Sequence, residues 1–316
     1  MRAVIFGLSG IRLTEAEAAF FRAAQPLGFI LFRRNVESPE QLKALVAELR
    51  QLTGRPDTPI LIDQEGGRVQ RLRTPFWQEL PPARTYGAMY EAGDKAGATD
   101  GVRAHAKTLA QMLSTVGINV DCWPCLDVAT PKVNECLGDR LFSNDNQVVS
   151  QLANAAIDAM LKGGVMPVAK HLPGYGKAEV DPHKSLPVVN ASMAELAQDF
   201  YPFSQIKKPI WGMTAHVLYK ALDDKNVATL SPKVIDFIRT QIGFEDFLIT
   251  DDISMGALSR YASVAASAVA CLKAGCDCVL HCNGAMAEMQ SIANKLPDLT
   301  PAALARLAKA KECLNA

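Results

Sequence analysis

Short apolar runs alternate along the chain with segments whose apolar residues recur every three or four positions. The first kind suits strands buried on both faces; the second suits amphipathic helices. Eight runs read as strands: residues 3–7, 28–32, 59–63, 118–122, 165–170, 210–215, 247–251 and 276–281. Helix signals fill the gaps. Thr14-x-x-Glu17 has the form of a capping box, and Ser38-Pro39 that of an N-cap followed by proline at the first helical position. Val102, Ala106, Leu109, Leu113 and Val116 share one helix face. Similar faces recur over 147–161, 232–242 and 262–274, and residues 301–313 read as a closing helix.

Alternating strands and helices make an α/β protein with a parallel sheet. Eight such units predict a closed (β/α)8 TIM barrel with some irregular strands, one catalytic domain over residues 1–316. An open doubly wound sheet would want a glycine-rich phosphate turn after an early strand, and Gly66-Gly67 without G-x-G-x-x-G does not supply one. The apolar stretch 3–8 is too short for a secretory signal. No run approaches the roughly 20 apolar residues of a membrane span.

Composition narrows the choice of partner. The 316 residues carry 33 Lys plus Arg and 33 Asp plus Glu, a formal net charge of zero. That balance disfavours nucleic acid and membrane surfaces and leaves small or neutral substrates. Eight cysteines in a chain of this size without a leader are expected as free buried thiols. Cys122-x-x-Cys125 has metal or redox spacing but sits at a strand end, with no second pair like it.

Polar residues gather at the predicted strand ends. The third ends in Asp63-Gln64-Glu65-Gly66-Gly67-Arg68, the fourth near Asp121 and Asp127, and the fifth in Lys170-His171. The sixth ends in His216, the seventh in Asp251-Asp252 and the eighth in His281-Cys282-Asn283. In a barrel these ends share one face, where catalysis sits. Asp63, His171, His216 and Asp251 could ligate a metal, but no H-x-H or H-E-x-x-H cluster accompanies them, and the Lys and Arg around them repel cations. The same mixture suits sugar hydroxyls, and a glycosidase needs a carboxylate at the anomeric centre plus an acid for the leaving oxygen. The residues alone leave both chemistries open. Asp252 reads as a cap, His216 as a supporting residue, and Trp77, Trp123 and Trp211 as packing.

Four stretches carry a resemblance. They are Ile62-Asp63-Gln64-Glu65-Gly66-Gly67-Arg68-Val69-Gln70-Arg71, Gly138-Asp139-Arg140, Lys170-His171-Leu172-Pro173-Gly174, and Thr250-Asp251-Asp252-Ile253-Ser254-Met255. In this order they resemble glycoside hydrolase family 3, specifically its single-domain bacterial β-N-acetylglucosaminidases. The resemblance implies Asp251 as the nucleophile that forms a glycosyl-enzyme. It implies Asp63, Arg71, Arg140, Lys170 and His171 as the groups that hold the sugar. Asp181-Pro182-His183 matches an Asp-x-His dyad, with His183 as acid/base and Asp181 orienting it. Histidine suits the role because it titrates near neutral pH, and a carboxylate on one ring nitrogen fixes its tautomer. Other members take the acid/base from a second domain, which this chain is too short to carry. Tyr175 stands where the family usually has His, and Pro182 where Ser is usual.

The implied activity is a retaining exo-β-N-acetylglucosaminidase that removes N-acetylglucosamine from anhydro-muramyl peptides during cytoplasmic recycling of a bacterial wall. No metal or organic cofactor is implied. A carbohydrate is the expected partner, and neither nucleic acid nor membrane; the chain is expected to be a monomer. Transfer of the sugar to phosphate, another β-glycosidase specificity and an inactive sugar-binding barrel are the alternatives.

Overall fold

A computed structural model of the chain describes residues 1–131, 135–178, 180, 186–259 and 261–314. Eight strands close into a parallel barrel: β1 (Arg2–Gly7), β2 (Pro26–Leu31), β3 (Ile60–Ile62), β4 (Val120–Asp121), β5 (Met166–Leu172), β7 (Trp211–Thr214), β9 (Phe247–Asp252) and β10 (Cys278–His281). All eight coincide with runs expected from the sequence. Registers such as Leu61 opposite Val120 and Met213 opposite Ile249 align the strand ends on one rim. Two short strands, β6 (Val188–Val189) and β8 (Leu218–Tyr219), pair with each other outside the barrel.

The described helices are α1 (Glu15–Ala24), α2 (Pro39–Thr53), α3 (Ala83–Glu91), α4 (Lys95–Thr115), α5 (Asn146–Lys162), α6 (Met193–Ser204), α7 (Pro232–Thr240), α8 (Val264–Ala274), α9 (Met286–Ala293) and α10 (Pro301–Glu312). Thr14 and Glu17 form the reciprocal capping box, and the Ser38 side chain accepts from the Gln41 amide. The helices α3, α6 and α9 were not expected from the pattern. Among them α6 has its own capping box, Ser192 with Glu195.

Strands four and five are irregular in a way that matters. Only two residues of β4 are regular strand, yet its bonding to β5 continues past them. The Val168 amide donates to Trp123 O at 3.1 Å, Lys170 N to Pro124 O at 3.2 Å, and Leu126 N to Lys170 O at 2.7 Å. The two chains therefore stay side by side as far as Leu126, which delivers Asp127 beside His171. The register of β5 shifts against β7 between Lys170 and Leu172. Such a shift re-aims side chains at a barrel rim.

Candidate functional site

The third strand supplies the floor of the site. Residues two apart on an extended segment project to the same side, and Asp63 and Glu65 both reach the Lys170 ammonium, at 2.9 and 2.7 Å. Gln64 between them is buried and works on the backbone. Its Oε1 accepts from the Arg71 and Leu72 amides at 2.7 and 3.0 Å. That folds the Gly66–Gln70 turn back, so that Arg71 Nη2 meets Asp63 Oδ2 at 3.2 Å. Arg140 completes the cluster with a two-pronged contact to Glu65, 2.9 and 2.7 Å.

Burial would push each of these charges toward its neutral form, but mutual pairing reverses it. Burial raises the Glu65 carboxyl, yet Arg140 and then Lys170 hold it down to about 2. Burial likewise works against Asp63, and Lys170 and Arg71 overcome it to keep Asp63 below the usual carboxylate range. Burial lowers Lys170, and Asp63 and Glu65 outweigh that, so the ammonium is fixed in its charged form. Beneath the cluster Asp121 is different. Burial drives its carboxyl well above the ordinary range, and its Oδ1 accepts only the Gln64 amide, at 3.0 Å. Within this cluster the two ionised carboxylates, Asp63 and Glu65, face the three cations Lys170, Arg71 and Arg140.

His171 is held from behind. Its Nδ1 lies 2.7 Å from Asp127 Oδ2, and Asp127 Oδ1 accepts the His171 and Tyr175 amides at 3.2 and 2.6 Å. The Cys125 thiol donates to Asp127 Oδ2 at 3.1 Å. With Nδ1 occupied, the other ring nitrogen is the one left for the cavity that His171 lines.

The segment after β5 is pinned by side chains from three directions. Tyr219 on β8 donates to Gly174 O at 2.6 Å, Thr130 donates to Gly176 O at 2.9 Å, and Lys177 pairs with Asp199 on α6. The backbone here passes too close to its neighbours for side chains. A Cβ on Gly174 would sit 2.7 Å from Asp199 Cβ, and one on Gly176 would sit 1.8 Å from Val128 O. Asp199 is fully buried, and burial pushes its carboxyl up to about 6 despite Lys177. Asp181 and His183, the expected dyad, lie outside the described residues.

Asp251 is the last residue but one of β9 and opens on a cavity of about 620 Å³ of empty space, its mouth included. Asp63, Arg71, Arg140, Lys170 and His171 line the same cavity. Among the described residues the Asp251 carboxylate accepts from the next amide, Asp252 N, at 2.8 Å. Asp252 is spoken for: it accepts from Ser254 N, Ser254 Oγ and Cys282 N at 3.0, 2.7 and 3.1 Å. A smaller space of about 280 Å³ adjoins Asp251 on the side of Tyr175 and His216. His216 is buried and satisfied by Thr229 at 2.8 Å and Asp252 O at 3.0 Å.

The glycosyl hydrolase family 3 N-terminal domain is matched over residues 5–312. The chain belongs to this family. A β-hexosaminidase of Chromobacterium violaceum is 38% identical over 285 residues, 89% of this chain and 78% of that protein. NagZ of Neisseria gonorrhoeae, solved in complex with N-trifluoroacetyl-D-glucosamine, superposes with a TM-score of 0.87 at 30% identity, covering 99% of this chain and 92% of that one. A family 3 β-N-acetylglucosaminidase from Paenibacillus gives a TM-score of 0.86 at 28% identity; this chain covers 61% of its length.

In this family 3 glycoside hydrolase Asp63, Arg71, Arg140, Lys170, His171 and Asp251, singled out from the sequence, line one cavity. Two contributors were missed as such: Glu65, which joins Arg140 to Lys170, and Asp127, which orients His171. The parity of Asp63 and Glu65 was a legible signal; nothing in the sequence pairs Asp127 with His171. Cys122 and Cys125 are both buried, and no disulfide joins them. Among the described residues Cys125, Asp127 and His171 lie close enough together to suggest a metal. However, their donor atoms are already hydrogen-bonded at 2.7 and 3.1 Å, tighter than the roughly 3.3 Å between ligands around a zinc ion with bonds near 2.0 Å. Cys122, Cys125, Cys271, Cys276, Cys278 and Cys282 are buried thiols outside any disulfide. Trp77, Trp123 and Trp211 are buried packing residues. Among the described residues no helix is long and apolar enough to cross a membrane.

Proposed function

We propose that the chain is a retaining exo-β-N-acetylglucosaminidase acting on N-acetylglucosamine linked to anhydro-muramyl peptides, in the cytoplasm of a bacterium recycling its wall. The supporting observation is the Asp251 carboxylate, which faces the cavity without an ion pair among the described residues, whereas Asp63 is paired with Lys170 and Arg71 and Asp252 accepts from Ser254 and Cys282. The β-hexosaminidase relatives and the likeness to NagZ bound to an N-acylglucosamine support the same sugar.

In this reading Asp63, Arg71, Arg140, Lys170 and His171 hold the sugar ring. Asp251 attacks the anomeric carbon, and the glycosidic bond breaks as His183 protonates the departing oxygen. Asp181 orients the His183 ring. Water then attacks the glycosyl-enzyme while His183 takes its proton, freeing Asp251 and releasing the sugar with its configuration retained.

Aryl β-N-acetylglucosaminide and aryl β-glucoside, offered side by side with and without phosphate, test the assignment. Preference for the acetylated sugar with a rate indifferent to phosphate is expected. A preferred glucoside would overturn the substrate, and a phosphate-dependent rate giving sugar 1-phosphate would make the chain a phosphorylase.

A further inference from the structure

Tyr175 stands on the described chain just before residues 179–185, which carry Asp181 and His183. The Tyr175 amide is bound to Asp127, and its carbonyl accepts the Ala178 amide at 3.0 Å. The glycines on either side are packed against Asp199 and Val128, as described. Tyr219, which donates to Gly174 O, belongs to β8, and β8 pairs in register with Val188–Val189. One residue therefore ties the chain entering residues 179–185 to the chain leaving them. The backbone at residue 175 has no freedom to relax, so its side chain is a fixed post.

That side chain points in two useful directions. Its ring meets the His171 ring edge-on, with centroids 5.9 Å apart, and lines the small space beside Asp251. Its hydroxyl donates to the Val180 carbonyl at 2.7 Å. Val180 is the residue before Asp181, and successive Cα atoms are about 3.8 Å apart. Fixing the carbonyl of Val180 therefore restricts where the chain can place Asp181, and through two more peptides His183. A phenylalanine would fill the same space and keep the ring contact but would release that carbonyl.

We propose that Tyr175 is a positioning residue for proton transfer: its hydroxyl, by holding the Val180 carbonyl, restrains the chain that leads into Asp181 and His183. This rests on the reading of His183 as the acid/base. Tyr175 itself moves no proton in the reaction. The influence of its hydroxyl is confined to the step in which the leaving group needs a proton, because a phenylalanine keeps the ring edge against His171 and the backbone bond to Asp127 and so leaves the groups that hold the sugar in place.

The experiment compares Tyr175→Phe, His183→Ala and the double variant over a series of aryl β-N-acetylglucosaminides, from dinitrophenyl to unactivated phenols, together with a natural disaccharide. Melting temperature is recorded alongside to show that each variant is folded. General acid help is worth about 10²–10⁴-fold, and a misplacement of about 1 Å can cost up to about 10²-fold. Tyr175→Phe should therefore slow the natural linkage about tenfold. Formation of the glycosyl-enzyme from the dinitrophenyl donor should stay within about twofold of wild type. The double variant should be no slower than His183→Ala. If His183→Ala depends on the leaving group while Tyr175→Phe slows all donors alike or none, the positioning role is overturned and the acid/base assignment stands. If Tyr175→Phe shows the steeper dependence of the two, Tyr175 is the acid and the positioning role is likewise overturned. If His183→Ala slows every donor alike, the acid/base reading falls, and this proposal with it.

Discussion

At the scale of single residues, the site separates groups that are structurally committed from one that is not. Asp251→Asn should leave the melting temperature unchanged, because an amide oxygen can still accept from Asp252 N. Turnover should fall to background, and a fluorinated glycosyl donor should label Asp251 in the wild type. A label found by mass spectrometry on Asp252 or Glu65 would reassign the nucleophile. Lys170 is the opposite case. Its removal leaves Asp63 and Glu65 buried without their shared counter-charge, and breaking such a buried pair typically costs about 3–5 kcal/mol. Lys170→Ala should thus melt well below wild type and lose catalytic efficiency equally on good and poor leaving groups. A loss limited to poor leaving groups would put Lys170 in proton transfer. The places of Asp63 and Lys170 at the rim were readable from the strand ends, and a role for them only from the resemblance; the place of Asp127 beside His171 was not readable, since it depends on where two chains 44 residues apart run side by side.

At the scale of elements, stability and activity should come apart. Thr14 caps α1 through the Glu17 amide and receives Glu17 in return. Its replacement by alanine should cost about 1 kcal/mol and leave kcat untouched, since nothing on α1 lines the cavity. Gly176→Ala should do the reverse in emphasis. Its methyl would meet Val128 O at 1.8 Å, so the segment after β5 must move off its anchors. Activity should then drop by far more than the melting temperature implies. Equal loss of both would mean that this segment matters only for folding. The eight strands and most helices were legible because apolar period and capping residues are local signals. The short β6 and β8 were not, since a two-residue strand carries no period, and their pairing brings together segments about 30 residues apart.

At the scale of the whole molecule, the response to acid is set by buried groups that oppose each other. Burial lowers His105 from 6.5 to about 4. The unfolded chain therefore binds the extra proton in that window, and stability falls as pH drops from 6.5 to 4. Burial raises Asp199 from 3.8 to about 6, so between these values the folded chain holds the extra proton and stability rises as pH drops. The two nearly cancel between pH 4 and 6. Glu65, lowered from 4.5 to about 2, contributes stability that is fully present above 4.5 and lost below it. Wild type should accordingly hold its stability down to about pH 4.5, whereas Asp199→Asn should lose it steadily from 6 to 4, by urea unfolding at fixed pH. Parallel curves for the two proteins would refute the compensation. The sequence by itself determined the closed barrel, the rim that bears the chemistry and most of the side chains on it. Alternation, capping and polar strand ends are properties of neighbouring residues, and barrel closure aligns those ends. Only the tertiary structure decided which carboxylates are ionised in pairs, which one is left facing the cavity, and which backbone stretches are pinned. Those depend on burial and on approaches of a few ångströms between strands far apart in the chain, distances that no local pattern encodes.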